Sequence, residues 1–286
     1  KKQVEAEWYH LKNSPNTINE AELKRVAKFF TSMPYEELND QDDTFNEAIQ
    51  NNKAFASWAK RSVHLHKQKG YRAITLSLKP HGLAPGDATS AQMRVVAELA
   101  DQYSFGELRV SHEQNLILAD VKLQDIFKVW EKAKAHQLAT ANIGLLTDII
   151  CCPGGDFCSL ANAKSIPIAT SIQEAFDNLD YLHDIGELEL NISGCMNACG
   201  HHHVGHIGVL GVDKDGSEWY QVTIGGKQGN DASLGTVIGP SFAAEEMPGV
   251  VKKLIDVYIK HRNPEERFID TVRRLGVNPF KEHVYA

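Results

Sequence analysis

Hydrophobic positions recur at helical spacing at both ends of the chain and alternate like strands in the middle. In "TINEAELKRVAKFF", Leu23, Val26, Ala27 and Phe30 fall at intervals of three and four, behind Thr17 and Glu20 in capping-box spacing. Pro34 and a run of acids break that pattern. The segment "TFNEAIQNNKAFASWAKRSVHLHKQKG" predicts a second helical stretch, with Gly70 as its C-cap. Neither stretch implies a core of its own, so residues 1–66 are expected to form a helical arm.

From Tyr71 the pattern changes. "YRAITLSLK" alternates as a strand does, and "HGLAPGD" turns the chain. "SAQMRVVAELADQYS" predicts a helix with Met93, Val96, Leu99 and Ala100 on its inner face. "GELRVSHEQNLILADV" gives two short strands, and "KLQDIFKVWEKAKAHQL" a helix that buries Leu123, Ile126, Val129, Trp130 and Ala133. The order β-α-β-β-α over residues 67–140 is that of a ferredoxin-like half-domain, a topology that does not specify chemistry. Residues 141–286 form the third segment. It holds a helical stretch "SIQEAFDNLDYLH", a strand "GELELNIS" and two strands joined by a turn over residues 213–216. Two helices close the chain, the second with Asn263 as N-cap, Pro264 at its first position and Gly276 as its stop. The expected fold class is α+β.

Composition narrows the function. The chain has 286 residues, 42% of them hydrophobic and 23% charged, which suits folded globular domains. A net charge of -7 gives no electrostatic footprint for nucleic acid, and no run of about 18 apolar residues predicts a membrane span. All five cysteines lie in two short patches, "CCPGGDFC" and "GCMNACG". Cys152 and Cys158 have five residues between them, Cys195 and Cys199 have three, and 36 residues separate the pairs. An odd cysteine count confined to two loops points to metal ligation in a reducing compartment, here the cytoplasm, ahead of a disulfide framework. Four soft thiolates suit tetrahedral zinc or an iron–sulfur cubane. The five-residue gap is long for a zinc knuckle, and flanking glycines let the backbone approach a bulky cluster. Zinc and a disulfide pair stay open at this point.

With "HIGVLG" and "YQVTIGG" after them, the two cysteine motifs resemble the C-terminal half of the siroheme-containing sulfite and nitrite reductases. "WAKRSVHLHKQKGY" and "GELRVSHEQNLILADV" extend the resemblance upstream to about Trp58. It implies a ferredoxin-like half-domain followed by a nitrite/sulfite reductase 4Fe-4S domain. It also implies that Cys152, Cys158, Cys195 and Cys199 bind a [4Fe–4S] cluster, and that Cys199 bridges the cluster to siroheme iron. Electrons reaching the cluster would then pass to the iron where sulfite, or alternatively nitrite, is reduced by six electrons. Asn197 matches a family position near the siroheme, and Gln114 and Asn115 match a motif facing the cofactor cavity. The implied electron donor is ferredoxin or a flavoprotein reductase subunit.

Complete members of that family carry two such repeats, and the basic side chains that hold the anion come from the first. Nothing here matches those motifs. With an opening "KKQVEAEW" that lacks Met, this leads to the expectation of a C-terminal half whose partner is an absent N-terminal repeat. Two rival classes are a non-catalytic iron–sulfur electron-transfer module and a zinc-stabilised interaction domain. Cys151 is expected to be a small buried neighbour of the cluster loop. His201, His202, His203 and His206 are assigned exposed or supporting roles. The basic clusters at Lys252–Lys253, Lys260–Arg262 and Arg273–Arg274 read as solvated helix faces, with docking of an acidic donor as the functional alternative.

Overall fold

The structure is a computed structural model that describes residues 1–30 and 32–286. It separates into two units, Lys1–Glu37 and Leu38–Ala286. The first unit holds α1 (Lys2–Leu11) and α2 (Glu20–Ala27), neither with a buried residue. The cap of α2 differs from the Thr17 assignment. Asn19 is the N-cap and accepts from Glu22 N–H at 2.9 Å, while the Thr17 hydroxyl donates to the Leu11 carbonyl. Asparagine immediately before the first helical residue reaches the second and third amides that a residue two positions earlier misses.

The second unit opens with α3 (Asp43–Asn51) and α4 (Lys53–Ser62), capped by Asp42 and Asn52. The chain then turns into β1 (Val63–Leu65), so the expected helix ends at Ser62 and Gly70 does not cap it. Val63 pairs with Ile74, and Gly70 instead occupies the turn before β2 (Tyr71–Leu76) at φ +75°. Three residues of β1 are too few to show alternation, and the helical spacing ahead of them masks the change. The α5 helix (Ser90–Tyr103) follows, with a Thr89–Gln92 capping box. Gln92 is buried and its amide donates to the His136 carbonyl, so Met93, expected inside, points outward and is 62% exposed. Then come β3 (Leu108–Val110), β4 (Leu116–Lys122) and α6 (Ile126–Ala135). The four strands form an antiparallel sheet in the order β1-β2-β4-β3. This is the ferredoxin-like half-domain.

One face of that sheet presents Ile74, Leu76 and Leu118 to a core completed by Val96 and Leu99 of α5 and Val129 and Trp130 of α6. The α4 helix belongs to the same core. Phe55 is fully buried, with ring centroids 5.1 Å from Phe127, 5.3 Å from Trp130 and 5.9 Å from Trp58.

The rest of the unit is built on a second sheet. It comprises β5 (Ile150–Cys151), α7 (Ile166–Ala175), α8 (Leu179–Ile185), β6 (Leu190–Ser193), β7 (Ile207–Lys214), β8 (Ser217–Ile224) and β9 (Thr236–Val237). The helices α9 (Met247–His261), α10 (Phe268–Leu275) and α11 (Asn278–Tyr285) end the chain. The sheet order is β5-β6-β7-β8-β9, parallel from β5 to β7 and antiparallel beyond. Leu190, Ile192, Ile207 and Val209 pack against α7 and α9 through Ile168, Ile172, Leu254 and Ile255. Gly276 ends α10 as expected, but the helix starts at Phe268 rather than beside Asn263. Glu266 does accept from Asn263 N–H at 2.9 Å, yet Glu265 at φ +60° turns the backbone before a helix can begin.

Because Phe55 closes one end of the ferredoxin-like core, Phe55→Ala is expected to destabilise the protein by about 3–5 kcal/mol. The check is a denaturant unfolding curve. A loss below about 1 kcal/mol would show that α4 is not part of this core.

Candidate functional site

The two cysteine motifs meet because their strands are neighbours. Cys151 of β5 lies in register with Ile192 of β6, and both strands run the same way. The chain therefore leaves both at the same end of the sheet, the carboxyl end of parallel strands where open α/β sheets place their ligands. Cys152 N–H donates to the Ile192 carbonyl at 3.1 Å, one residue beyond the ladder. The loops then lock together around Gly194. Its carbonyl accepts from Asn162 N–H and Ala163 N–H, at 2.9 and 3.0 Å, and its own N–H donates to Cys152 Sγ at 3.1 Å.

Glycine is required at this junction. A Cβ on Gly194 would come within 2.6 Å of the Ala163 carbonyl oxygen, and one on Gly200 within 2.0 Å of the Ile192 carbonyl oxygen. Gly154 at φ +58° lets the first loop fold back, so that Gly155 N–H reaches the Ala163 carbonyl.

The thiols differ in environment. Cys152 and Cys195 are buried, Cys158 is half-buried and Cys199 is exposed, and all five cysteines are free. Asn197 lies with Cys199 on the exposed tip of the second loop, where Ala198 adopts φ +55°. Cys151 is buried, and burial, the neighbouring Cys152 and Asp156 hold its thiol well above the usual range. It stays protonated at neutral pH. Among the described residues, no three His, Cys, Asp or Glu side chains are placed to share a single metal ion.

Gln114 and Asn115 lie beside this site, and both amides are engaged with protein. The Gln114 amide forms a two-way clamp on Cys151, accepting its N–H at 2.9 Å and donating to its carbonyl at 2.8 Å. Asn115 is buried. Its oxygen accepts from Leu78 N–H, and its nitrogen donates to Asp148 Oδ1 at 2.9 Å. Asp148 also pairs with the buried Lys79 ammonium at 2.5 Å, and Lys79 reaches the Glu113 carbonyl as well. These contacts fasten the loop between β3 and β4 to the start of β5. A cavity of about 400 Å³ adjoins them, lined by His64, Thr75, Glu113, Asn115, Asp148 and Asn191.

Sequence reasoning missed three parts of this arrangement: the Lys79–Asp148 pair, the Gly194 junction and the buried Ser165 beside Cys152. Gly194 left a signal only as a glycine flanking the second cysteine pair, and Ser165 only as a helix-start residue before Pro167, which says nothing of its hydroxyl. Of the four histidines, His202 and His206 are buried rather than exposed. Most of the basic clusters are ion-paired, with Lys252 on Asp256, Arg262 on Asp184, Arg273 on Asp231 and Arg274 on Glu266.

Residues 145–286 match the nitrite and sulphite reductase 4Fe-4S domain, and residues 64–136 match the nitrite/sulfite reductase ferredoxin-like half domain. The chain belongs to the nitrite and sulfite reductase family. It is 27% identical over 227 residues to an assimilatory ferredoxin-dependent nitrite reductase of Haloferax mediterranei, a match covering 77% of this chain and 38% of that protein. It is 22% identical over 205 residues to an assimilatory-type sulfite reductase of Nitratidesulfovibrio vulgaris, covering 72% of this chain and 88% of that protein. The solved NirA protein of Mycobacterium tuberculosis shares the fold, with a TM-score of 0.63 at 22% identity over 77% of this chain and 41% of that one. Among the described residues, no helix is long and apolar enough to cross a membrane.

The family implies a [4Fe–4S] cluster and siroheme. Four free thiols on two interlocked, glycine-lined loops are the donor set a cubane requires. Of these thiols Cys199 is exposed and Cys158 half-buried.

Burial near the second loop has a consequence for pH. It depresses His206 to about 4, with the positive charges of Arg267 and Lys227 adding to the effect, and depresses His202 to about 4, with help from His203. A histidine held neutral in the fold contributes stability that is complete above its unfolded value of about 6.5. That contribution is lost as pH falls from there toward 4. Denaturant midpoints are therefore expected to drop from pH 7 to pH 4.5, and His206→Gln is expected to flatten the drop. An unchanged slope in His206→Gln would contradict the assignment.

Proposed function

We propose that this chain is the cluster-carrying repeat of a sulfite reductase that reduces sulfite to sulfide by six electrons. In this reading Cys152, Cys158, Cys195 and Cys199 would hold the [4Fe–4S] cluster, and Cys199, the exposed thiol, would also hold the siroheme. Bound together, the two groups supply a coupled pair of redox centres at which a small oxyanion can be reduced. The observation that carries the proposal is the junction at Gly194, which brings two cysteine loops separated by 36 residues to one end of the sheet.

The chain's own residues divide the remaining work. The Gly194 peptide orients the Cys152 sulfur, and the Gln114 clamp fixes the β5 backbone just before it. Cys199 and Asn197 sit at the exposed tip, where a macrocycle can reach them. Gln114 and Asn115 thus serve the cofactors by holding the backbone that carries them, both amides being bonded to protein. The segment boundaries at 66 and 140 are part of the proposal, with residues 1–66 packing against a further repeat that supplies basic anion-binding side chains.

Sulfite is the first reading, supported by the name of one relative. The match takes in 88% of the compact protein named a sulfite reductase, against 38% of the haloarchaeal nitrite reductase. Nitrite, reduced to ammonia, is the second reading, supported by that relative's name. The name also supports ferredoxin as electron donor.

The test uses protein loaded anaerobically with cluster and siroheme. Sulfite is expected to shift the siroheme absorption at lower concentration than nitrite does. Cys199→Ser is expected to retain bound iron and lose magnetic coupling between the two centres. Coupling that persists in that variant would contradict the reading, and tighter binding of nitrite would reverse the substrate order.

A further inference from the structure

Ser165 occupies the N-cap position of α7, yet its hydroxyl makes no capping bond to the helix. It lies 3.4 Å from Cys152 Sγ instead, in a site with no solvent exposure. Room for it exists because both neighbouring loops carry glycine. A Cβ on Gly154 would come within 2.7 Å of the Ser165 oxygen, and one on Gly194 within 3.0 Å. Two glycines, one from each cysteine loop, therefore leave a notch that the hydroxyl occupies.

Cys152 receives a second donor in the Gly194 N–H at 3.1 Å. Among the described residues, no hydrogen bond ends on the sulfur of Cys158, Cys195 or Cys199. The donors are concentrated on one ligand. As a free thiol, Cys152 could either donate to or accept from the serine. As a thiolate on iron it can only accept, so the serine must donate.

We infer that Ser165 is a positioning residue that raises the reduction potential of the cluster through its hydrogen bond to the Cys152 thiolate. The inference rests on the cluster assignment made above. One-electron reduction adds negative charge to the cluster, and that charge spreads onto the thiolates. A fixed donor in a site closed to water stabilises the reduced form more than the oxidised form. Without it, the cluster becomes harder to reduce.

The experiment is a redox titration of the anaerobically reconstituted full chain, followed by electron paramagnetic resonance of the reduced cluster. It compares wild type, Ser165→Ala and Ser165→Thr, the last of which keeps the hydroxyl. At the wild-type midpoint, Ser165→Ala is expected to lower the ratio of reduced to oxidised cluster by about threefold to tenfold, tenfold being 59 mV for one electron. Ser165→Thr is expected to return the ratio toward wild type. A second measurement needs no variant: the iron–thiolate stretching bands of wild type in resonance Raman are expected to shift when water is exchanged for heavy water.

If the wild-type chain assembles no cluster, the functional reading fails, and this inference with it. If the cluster forms but Ser165→Ala leaves its midpoint unchanged, the inference alone is overturned. If Ser165→Ala cannot hold a cluster, the Raman bands decide, and their insensitivity to heavy water overturns the inference.

Discussion

The peptide at Gly194 is the contact on which the site depends. Its carbonyl takes two amides from the first cysteine loop and its N–H goes to the first loop's leading sulfur, so one residue of the second loop closes on three groups of the first. The geometry leaves no room for a side chain, since a Cβ would overlap the Ala163 carbonyl. The parallel pairing of β5 and β6 brings the loops to the same edge, and this peptide sets their register beyond the last ladder bond. Two cysteine loops with 36 residues between them are joined through backbone contacts, before any metal is considered.

The ferredoxin-like half-domain supports the other side of the same loops. Lys79, buried with Asp148, would be costly to leave unpaired, since breaking such a pair typically costs about 3–5 kcal/mol. The pair draws in the Asn115 amide and the Glu113 carbonyl, and through Gln114 the network reaches the backbone of Cys151. A buried ionic network of this kind fixes orientation more than it adds stability. Here the group it orients is the short strand that delivers Cys152. Near the second loop, burial depresses His202 and His206, so both stay neutral at pH 7.

The sequence revealed long periodic elements and the cysteine pattern, but little of how they are joined. The α6 helix buries Ile126, Val129, Trp130 and Ala133, with Leu123 buried in the turn before it, because the stripe faces one continuous core. Where a polar side chain took over a structural role, the pattern misled. Gln92 turned inward to bind the His136 carbonyl and displaced Met93, and Asn19 replaced Thr17 as a cap. The strand β1 was hidden because three residues carry no period. The four cysteines proposed as ligands were legible as candidates from type, number and glycine neighbours. The contacts that organise them were not, because Gly194, Ser165, Lys79 and Asp148 act through tertiary neighbours 13 to 69 positions away, and no local pattern encodes such a partner.

The most direct test of the central claim, that these interlocked loops form one cubane site, is iron, acid-labile sulfide and zinc analysis of the chain after anaerobic reconstitution. The account predicts iron and sulfide at about four each per chain, and uptake that collapses when Gly194 is replaced by alanine although no ligand is lost. Zinc bound without labile sulfide, or full cluster uptake by Gly194→Ala, would contradict it.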